Sequence, residues 1–140
     1  MRLVADTNVL VSAFLWQGTP GRLVELAGEK ECKIFTSRIL LDELAEVLHR
    51  KRLAKQVQAT GLTAAQMLLN FRRLTTVVTA HRLAQQVSRD ADDDAVLACA
   101  LAAQAELIVS GDADLLVLKR FQNMRIVTAA QAVKIITATT

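Results

Sequence analysis

Short apolar segments alternate with longer helical patterns along this chain, and the alternation limits the possible folds more than any other feature. Five segments have the length and the apolar content of strands: residues 2–5, 33–36, 75–79, 107–112 and 125–128. Helical patterns separate most of these strands, which favours parallel strands with helices on both faces of the sheet. We therefore predict an α/β fold, a three-layer α/β/α sandwich around a central parallel five-stranded sheet.

The length and composition predict one domain that resides in the cytoplasm. Of the 140 residues, 52% are hydrophobic, which is enough to bury a core between helices and a sheet. No apolar run has the length of a membrane span, and the opening MRLVADTNV lacks the apolar region of a secretory signal, so we expect no membrane contact. Cys32 and Cys99 stand far apart without a CxxC pattern, so we expect two reduced, buried thiols.

Two of the predicted strands end in an aspartate. Asp6 follows the first strand, and Asp112 follows the apolar part of the fourth strand. In open parallel sheets, ligand sites form beyond the carboxyl ends of the strands. Either aspartate alone is also typical of an ordinary turn, so a site at this edge requires further polar groups from elsewhere in the chain.

Glu43 is one candidate for such a group. In the helix predicted from Ser37 to about Leu48, Glu43 follows Leu40 by three residues and precedes Val47 by four, so it lies along the apolar stripe. A carboxylate directed at a core must be paired or bound to a metal, because isolated burial is costly. The alternative is a position at the edge of the stripe, from which Glu43 reaches solvent.

The segment DADDD, residues 90–94, supplies the other candidates. Asp93 and Asp94 precede Leu97 by four and three residues, so both project from the inner stripe at the first turn of the following helix. A single aspartate at that place is an ordinary helix cap. Four aspartates in five residues repel one another, and capping does not explain their number.

Carboxylates from these segments can meet at one edge of the sheet. Asp6 and Asp112 come from strand ends, whereas Glu43 and Asp94 come from the inward stripes of helices. Converging carboxylates repel one another unless a divalent cation lies among them, and oxygen ligands without His or Cys favour Mg²⁺ or Mn²⁺ over zinc. A centre of one or two such ions activates water and offsets the charge of a phosphate.

The basic residues are clustered, although the net charge is only +3. The run HRKR at residues 49–52 is followed closely by Lys55, and Arg72 adjoins Arg73. Together with a separate acidic cluster, this distribution is typical of a protein that holds a polyanion over cations. The alternative is that HRKR forms a solvated helix face.

Three stretches of the chain form a recognisable set of motifs. They are ADTNVLVSA at the start, TSRILLDELAEVL in the middle and DADDDAVLACALAAQAELIVSGDADLLVL in the second half. Together they resemble the four motifs of the PIN domain, a nuclease fold that includes the VapC-type toxins of toxin–antitoxin pairs, and the wording is closest to a branch described as toxin components. The resemblance covers nearly the whole chain and implies that residues 1–140 form a single PIN-like nuclease domain.

The resemblance also implies roles for individual residues. The acids that would bind metal and act in catalysis are Asp6, Glu43, Asp94 and Asp112; Asp93 stays open as the third acid in place of Asp94, and Asp114 as a further ligand. The residues that would orient ligands or waters are Thr7, Asn8, Ser37, Asp90 and Ser110. The residues that would contact the RNA backbone are Arg50, Lys51, Arg52, Arg72 and Arg73.

The implied activity is that of an Mg²⁺- or Mn²⁺-dependent endoribonuclease, which hydrolyses RNA phosphodiester bonds as a VapC-type toxin. The implied partners are RNA, a small protein antitoxin and a second copy of the chain in a homodimer. A nuclease acting on DNA and a non-catalytic PIN-like RNA-binding or scaffold domain remain alternatives. A receiver-like domain is disfavoured because Glu43 has no role in it, and a phosphatase of the DxD type because Asn8 replaces the second aspartate.

Overall fold

Six strands form one sheet in the computed structural model, which describes residues 1–138. The strands are β1 (Arg2–Ala5), β2 (Lys33–Thr36), β3 (Thr76–Val77), β4 (Leu107–Val109), β5 (Arg120–Phe121) and β6 (Met124–Val127). Their order across the sheet is β3-β2-β1-β4-β6-β5, and each neighbouring pair is parallel except β5 with β6. The predicted α/β/α sandwich with a mostly parallel central sheet is therefore confirmed.

Helices connect the strands and cover both faces of the sheet. The helices within the described residues are α1 (Thr7–Leu15), α2 (Gly18–Gly28), α3 (Arg38–Leu48), α4 (Ala54–Ala59), α5 (Ala64–Leu74), α6 (Ala91–Ala103), α7 (Ala113–Leu116) and α8 (Ala129–Ala138). A short 3₁₀ turn, Lys51–Leu53, precedes α4. In the basic run, His49 is the C-cap of α3 and Lys51 and Arg52 lie in this turn, whereas Lys55 lies in α4.

Strand residues alternate between two hydrophobic cores, one on each face of the sheet. Leu3, Ile34 and Leu107 belong to the core that includes residues of α1, α2, α3, α5 and α8. Val4 and Ile108 belong to the core beneath α6. The alternation follows from the period of two along a strand. Since both faces are covered, the carboxyl edge of the strands remains as the place where polar side chains gather.

The sheet has one strand more than the predicted five. Strand β5 is antiparallel to β6 and only two residues long, which is too short for an alternating pattern to be visible in the sequence. Lys119 and Gln122 flank it with φ angles of 60° and 53°, a left-handed conformation that is uncommon for residues other than glycine. Strand β3 is also shorter than predicted, since it comprises only residues 76–77.

The two cysteines, Cys32 and Cys99, are buried and free, as predicted. Burial raises the pKa of both thiols to about 11, so neither carries appreciable thiolate near neutral pH. Across residues 1–138, no helix combines the length and the apolar character that crossing a membrane requires.

Candidate metal centre

Hydrogen bonds beyond the strand ends fix the place where the first acid emerges. The backbone N–H of Asp6 donates to the carbonyl of Val109 at 2.9 Å, and the N–H of Ser110 donates to the carbonyl of Val127 at 2.9 Å. These bonds extend the parallel pairing of β1, β4 and β6 by one residue. Asp6 and Ser110 therefore leave the sheet side by side at its carboxyl edge.

Asp6 is held in place from two sides. It is the N-cap of α1, and its Oδ1 accepts the N–H of Val9 at 3.0 Å, while its Oδ2 accepts the hydroxyl of Ser110. The side chain is 6% exposed. Burial raises the pKa of Asp6 above its ordinary value, the bonds from Ser110 and Val9 act in the opposite direction, and the charge of Asp112 raises the pKa further.

Ser110 links Asp6 to Asp112. Its Oγ donates to Asp6 and accepts the backbone N–H of Asp112 at 2.9 Å. Asp112 is in turn the N-cap of α7, and its Oδ1 accepts the N–H of Asp114 at 2.8 Å. The Ser110 hydroxyl therefore contacts the carboxylate of Asp6 and the backbone of Asp112.

Three aspartates converge beside this link. Asp90, Asp93 and Asp112 each place one carboxylate oxygen within 4.8 Å of the other two. Asp93 is 5% exposed. Burial, together with the carboxylates of Asp112 and Asp90, raises the pKa of Asp93 from 3.8 to about 7, and the Ser88 hydroxyl acts in the opposite direction. Such a group is stabilised either by a proton or by a cation placed among the three carboxylates.

Asp94 points elsewhere. Its Oδ1 accepts the backbone N–H of Ser88 at 2.7 Å, and its Oδ2 accepts that of Val87 at 3.1 Å. The family resemblance favoured Asp94 as the third acid and kept Asp93 as the alternative. Because both oxygens of Asp94 are occupied by the loop before α6, whereas Asp93 lies in the acidic group, the geometry favours Asp93.

Glu43 lies between the core and the acids. It is partly buried, whereas Asp42 and Glu46 on the same helix are exposed, in agreement with the predicted stripe. Burial raises the pKa of Glu43, a hydrogen bond with the Thr7 side chain lowers it, and the charges of Asp92, Asp6 and Asp90 raise it again. Glu43 is therefore in electrostatic contact with the same acidic group.

The remaining predicted residues occupy different places. Ser37 is buried and caps α3, where its Oγ accepts the N–H of Leu40 at 3.4 Å, so it acts on the helix that carries Glu43. Asn8 is exposed in the first turn of α1. Asp114 forms an ion pair with Arg89 at 3.0 Å.

The predicted basic residues follow the end of α3 or lie in the last turn of α5. Arg50 forms an ion pair with Glu46 at 3.1 Å, and Lys51 and Arg52 lie in the turn beyond the end of α3. The eleven residues of α3 span about 16 Å at 1.5 Å per residue, so these cations lie roughly that far from the capped end of the helix. Arg72 and Arg73 lie in the last turn of α5, which leads to β3.

Other cations lie in a groove that Asp92 and Asp94 of the same acidic segment also line. The groove has a volume of about 550 Å³ and runs between residues 80–89 and the first turns of α3 and α6. Its polar and charged lining includes His81, Arg82, Gln86, Arg89, Asp92 and Asp94. Sequence reasoning missed Arg82 and Arg89 because each is isolated in the sequence, and only the path of the loop brings them to the groove.

The donor set suits a hard divalent cation. The groups that converge are carboxylates, supported by the hydroxyls of Ser110 and Ser88. Such oxygen ligands are typical of Mg²⁺ and Mn²⁺. A cation among Asp90, Asp93 and Asp112 would also remove the repulsion that raises the pKa of Asp93.

Comparison with known proteins places the fold and the motifs in one family. A search of curated proteins gives no match. Among solved structures, a similar one is described as the crystal structure of VapBC2 from Rickettsia felis bound to a DNA fragment from their promoter. The two chains are 18% identical and superpose with a TM-score of 0.59. The match covers 90% of this chain and 97% of that chain. The family model described as PIN domain matches residues 2–114, which include the acids discussed above. The chain therefore belongs to the PIN domain family.

Proposed function

We propose that this protein is a metal-dependent ribonuclease that hydrolyses RNA phosphodiester bonds. The observation that carries the proposal is the convergence of Asp90, Asp93 and Asp112 within 4.8 Å, next to Asp6 and its link through Ser110. Membership of the PIN domain family supports the same activity. The scaffold alternative is disfavoured because the carboxylates are retained and lie in one group.

The residues that would hold one or two Mg²⁺ or Mn²⁺ ions are Asp6, Glu43, Asp93 and Asp112, with Asp90 beside them. A bound divalent ion would lower the pKa of a water and offset the negative charge of the phosphate. Ser110 keeps the Asp6 carboxylate directed along the sheet edge. Asp93 holds a proton below its pKa of about 7, so metal binding near neutral pH must displace that proton.

We propose that the groove guides the RNA strand to these acids. Arg82 and Arg89 line it and are exposed, and His81 lies beside Arg82. The positive charges of the two arginines would contact phosphates, which predicts binding that weakens with salt. The chain has few aromatic residues, 4% of the total, so base stacking contributes little to this binding.

We also propose that the protein is a VapC-type toxin with a small protein antitoxin as partner. The similar Rickettsia felis structure is a VapBC2 assembly, and this chain exposes large apolar side chains that a partner could cover. Among the described residues these include Ile39, 61% exposed, and Trp16, 56% exposed. Ile39 lines the groove, so a partner there would block the proposed RNA path. A homodimer is the second proposed assembly.

A cleavage assay tests the activity. Purified protein is incubated with single-stranded RNA and with DNA of the same sequence, in Mg²⁺, Mn²⁺ or EDTA. We expect RNA cleavage that EDTA abolishes and that Asp93→Asn lowers by a factor of at least 10³, on the order of 4 kcal/mol of lost transition-state stabilisation. Asp42→Asn, on the exposed face of α3, is the matched control. RNA binding without cleavage in the unsubstituted protein would contradict the proposal and favour the scaffold.

A further inference from the structure

The loop before α6 is tied to the helix by the side chain of Asp94. Its two oxygens accept the consecutive backbone N–H groups of Val87 and Ser88 at 3.1 and 2.7 Å. The Gln86 side chain adds a bond to the carbonyl of Ser88 at 2.7 Å. These contacts fix the backbone of Ser88, which is 6% exposed although its neighbours Val87 and Arg89 are exposed.

The hydroxyl of Ser88 then contacts the acidic group. Ser88 Oγ donates to Asp93 Oδ2 at 3.1 Å and accepts the backbone N–H of Asp90 at 3.3 Å. Asp90 is the N-cap of α6. One serine side chain therefore connects the start of the helix to the carboxylate of Asp93, and the position of that serine depends on Asp94.

We propose that Asp94 and Ser88 are positioning residues, which orient Asp93 for the divalent ion. Asp94 holds the backbone of Ser88, and the hydroxyl of Ser88 holds the carboxylate of Asp93. This inference rests on the proposed function, since it takes Asp93 as a ligand. It assigns to Ser88 a role that the sequence pattern did not indicate. It also explains an aspartate at position 94 without placing its own oxygens on the ion.

The physical reason lies in the surroundings of Asp93. Its carboxylate faces Asp112 and Asp90, whose negative charges favour rotation away from them in the absence of a cation. The hydroxyl of Ser88 opposes that rotation by donating to Oδ2. Buried groups that hydrogen-bond to metal-ligating carboxylates fix their orientation, and their loss typically lowers metal affinity by about 10- to 100-fold.

The rival account is that Asp94 binds the ion directly. In that case its oxygens must release the N–H groups of Val87 and Ser88. The two accounts differ in what Ser88→Ala does. The substitution leaves the backbone bonds of Asp94 intact and removes only the hydroxyl, so it weakens metal binding under the positioning account and leaves it unchanged under direct ligation.

The test is titration of the full-length protein with Mn²⁺, followed by the loss of the free Mn²⁺ electron paramagnetic resonance signal. We expect Asp94→Asn and Ser88→Ala each to weaken Mn²⁺ binding about 10- to 100-fold. Because both residues act through one contact, the affinity of the double variant should lie within about threefold of that of the weaker-binding single variant. Ser88→Thr, which keeps the hydroxyl, should restore most of the affinity, and Asp42→Asn should bind like the parent. Unchanged binding in Ser88→Ala, or defects that multiply in the double variant, would overturn the inference.

A metal-free readout separates this inference from the proposed function. If the parent protein takes up no Mn²⁺, the proposed metal centre is wrong, and amide hydrogen exchange then decides the positioning account. Asp94→Asn should accelerate exchange at Val87 and Ser88 at least tenfold and detach Ser88 Oγ from Asp93 in a crystal structure. If both amides of Asp94→Asn exchange as slowly as in the parent protein and Ser88 Oγ still contacts the Asp93 carboxylate, the positioning account is wrong independently of any metal.

Discussion

The hydroxyl of Ser110 donates a hydrogen bond to the carboxylate of Asp6, although 104 residues separate the two in the sequence. The same oxygen accepts the backbone N–H of Asp112 at 2.9 Å. Ser110 is 0% exposed and Asp6 is 6% exposed. The carboxyl ends of β1 and β4 are thus joined by one buried contact that holds the Asp6 carboxylate next to the backbone of Asp112.

We predict that Ser110→Ala lowers both metal affinity and stability. The substitution leaves the buried Asp6 carboxylate without one of its donors, which costs about 1–3 kcal/mol of unfolding free energy, and we expect Mn²⁺ affinity to fall about 10- to 100-fold. Urea unfolding and Mn²⁺ titration measure the two effects. Ser12→Ala, on α1, is the control, and unchanged affinity in Ser110→Ala would show that Asp6 needs no orientation from Ser110.

The metal-free protein should lose stability as the pH rises from about 5 to 8. The folded protein raises the pKa of Asp93 from 3.8 to about 7, so between these values the folded state holds a proton that the unfolded state releases. The unfolding free energy therefore falls as the pH rises toward the folded-state pKa of about 7 and levels off above it. The raised pKa values of Asp6 and Glu43 act in the same direction.

Urea unfolding in EDTA at pH 5, 6, 7 and 8 measures this dependence. Asp93→Asn removes the titrating group and should flatten the profile, while Mg²⁺ should stabilise the parent protein more at pH 8 than at pH 5. A parent protein that becomes more stable as the pH rises would contradict the assignment of Asp93 to a crowded acidic group.

Asp112→Asn should stabilise the metal-free protein while it abolishes cleavage. Asparagine is as good an N-cap as aspartate, so α7 keeps its start, and the repulsion between residues 112 and 93 is removed. At pH 8, above the Asp93 pKa of about 7, we expect a gain of about 1–2 kcal/mol, equivalent to roughly one pKa unit of repulsion. Calorimetry in EDTA and an RNA cleavage assay measure the two properties, and a joint loss of stability and activity would favour a purely structural role for Asp112.

Arg82→Ala should weaken RNA binding more than changes in the basic run. Arg82 lines the groove together with Asp92 and Asp94, whereas Lys51 and Arg52 lie beyond the far end of α3. We expect KM to rise about 3- to 10-fold and the salt dependence of binding to decrease by roughly one phosphate contact. Lys51→Ala and Arg52→Ala are the matched controls. A larger effect on RNA binding from these two variants than from Arg82→Ala would support the RNA contact predicted for the basic run and contradict RNA binding in the groove.

The strands and their order of appearance could be predicted because each central strand carries a short apolar segment. Leu3, Ile34 and Leu107 are buried in the same core, and their apolar character is visible in the sequence. Strand β5 could not be predicted, because its two residues, Arg120 and Phe121, pair with β6 through backbone bonds that leave no periodic pattern.

The acids proposed for the site are visible in the sequence, but the sequence does not decide between neighbouring aspartates. Asp93 and Asp94 both lie in the first turn of α6, and helix periodicity allows either one to face inward. The choice depends on the loop at residues 87–88, whose amides occupy Asp94. Arg82 escaped notice for the same reason, since a loop without regular structure brings it to the groove.

The most direct test of the proposed centre is anomalous scattering from crystals grown with Mn²⁺. A metal ion at the carboxyl edge of the sheet should give a peak within coordination distance, about 2.0–2.3 Å, of carboxylate oxygens of Asp93 and Asp112, with Asp6 beside it and Asp94 still on the amides of Val87 and Ser88. An edge without any anomalous peak at saturating Mn²⁺, or a peak bound by Asp94 instead of Asp93, would contradict the account.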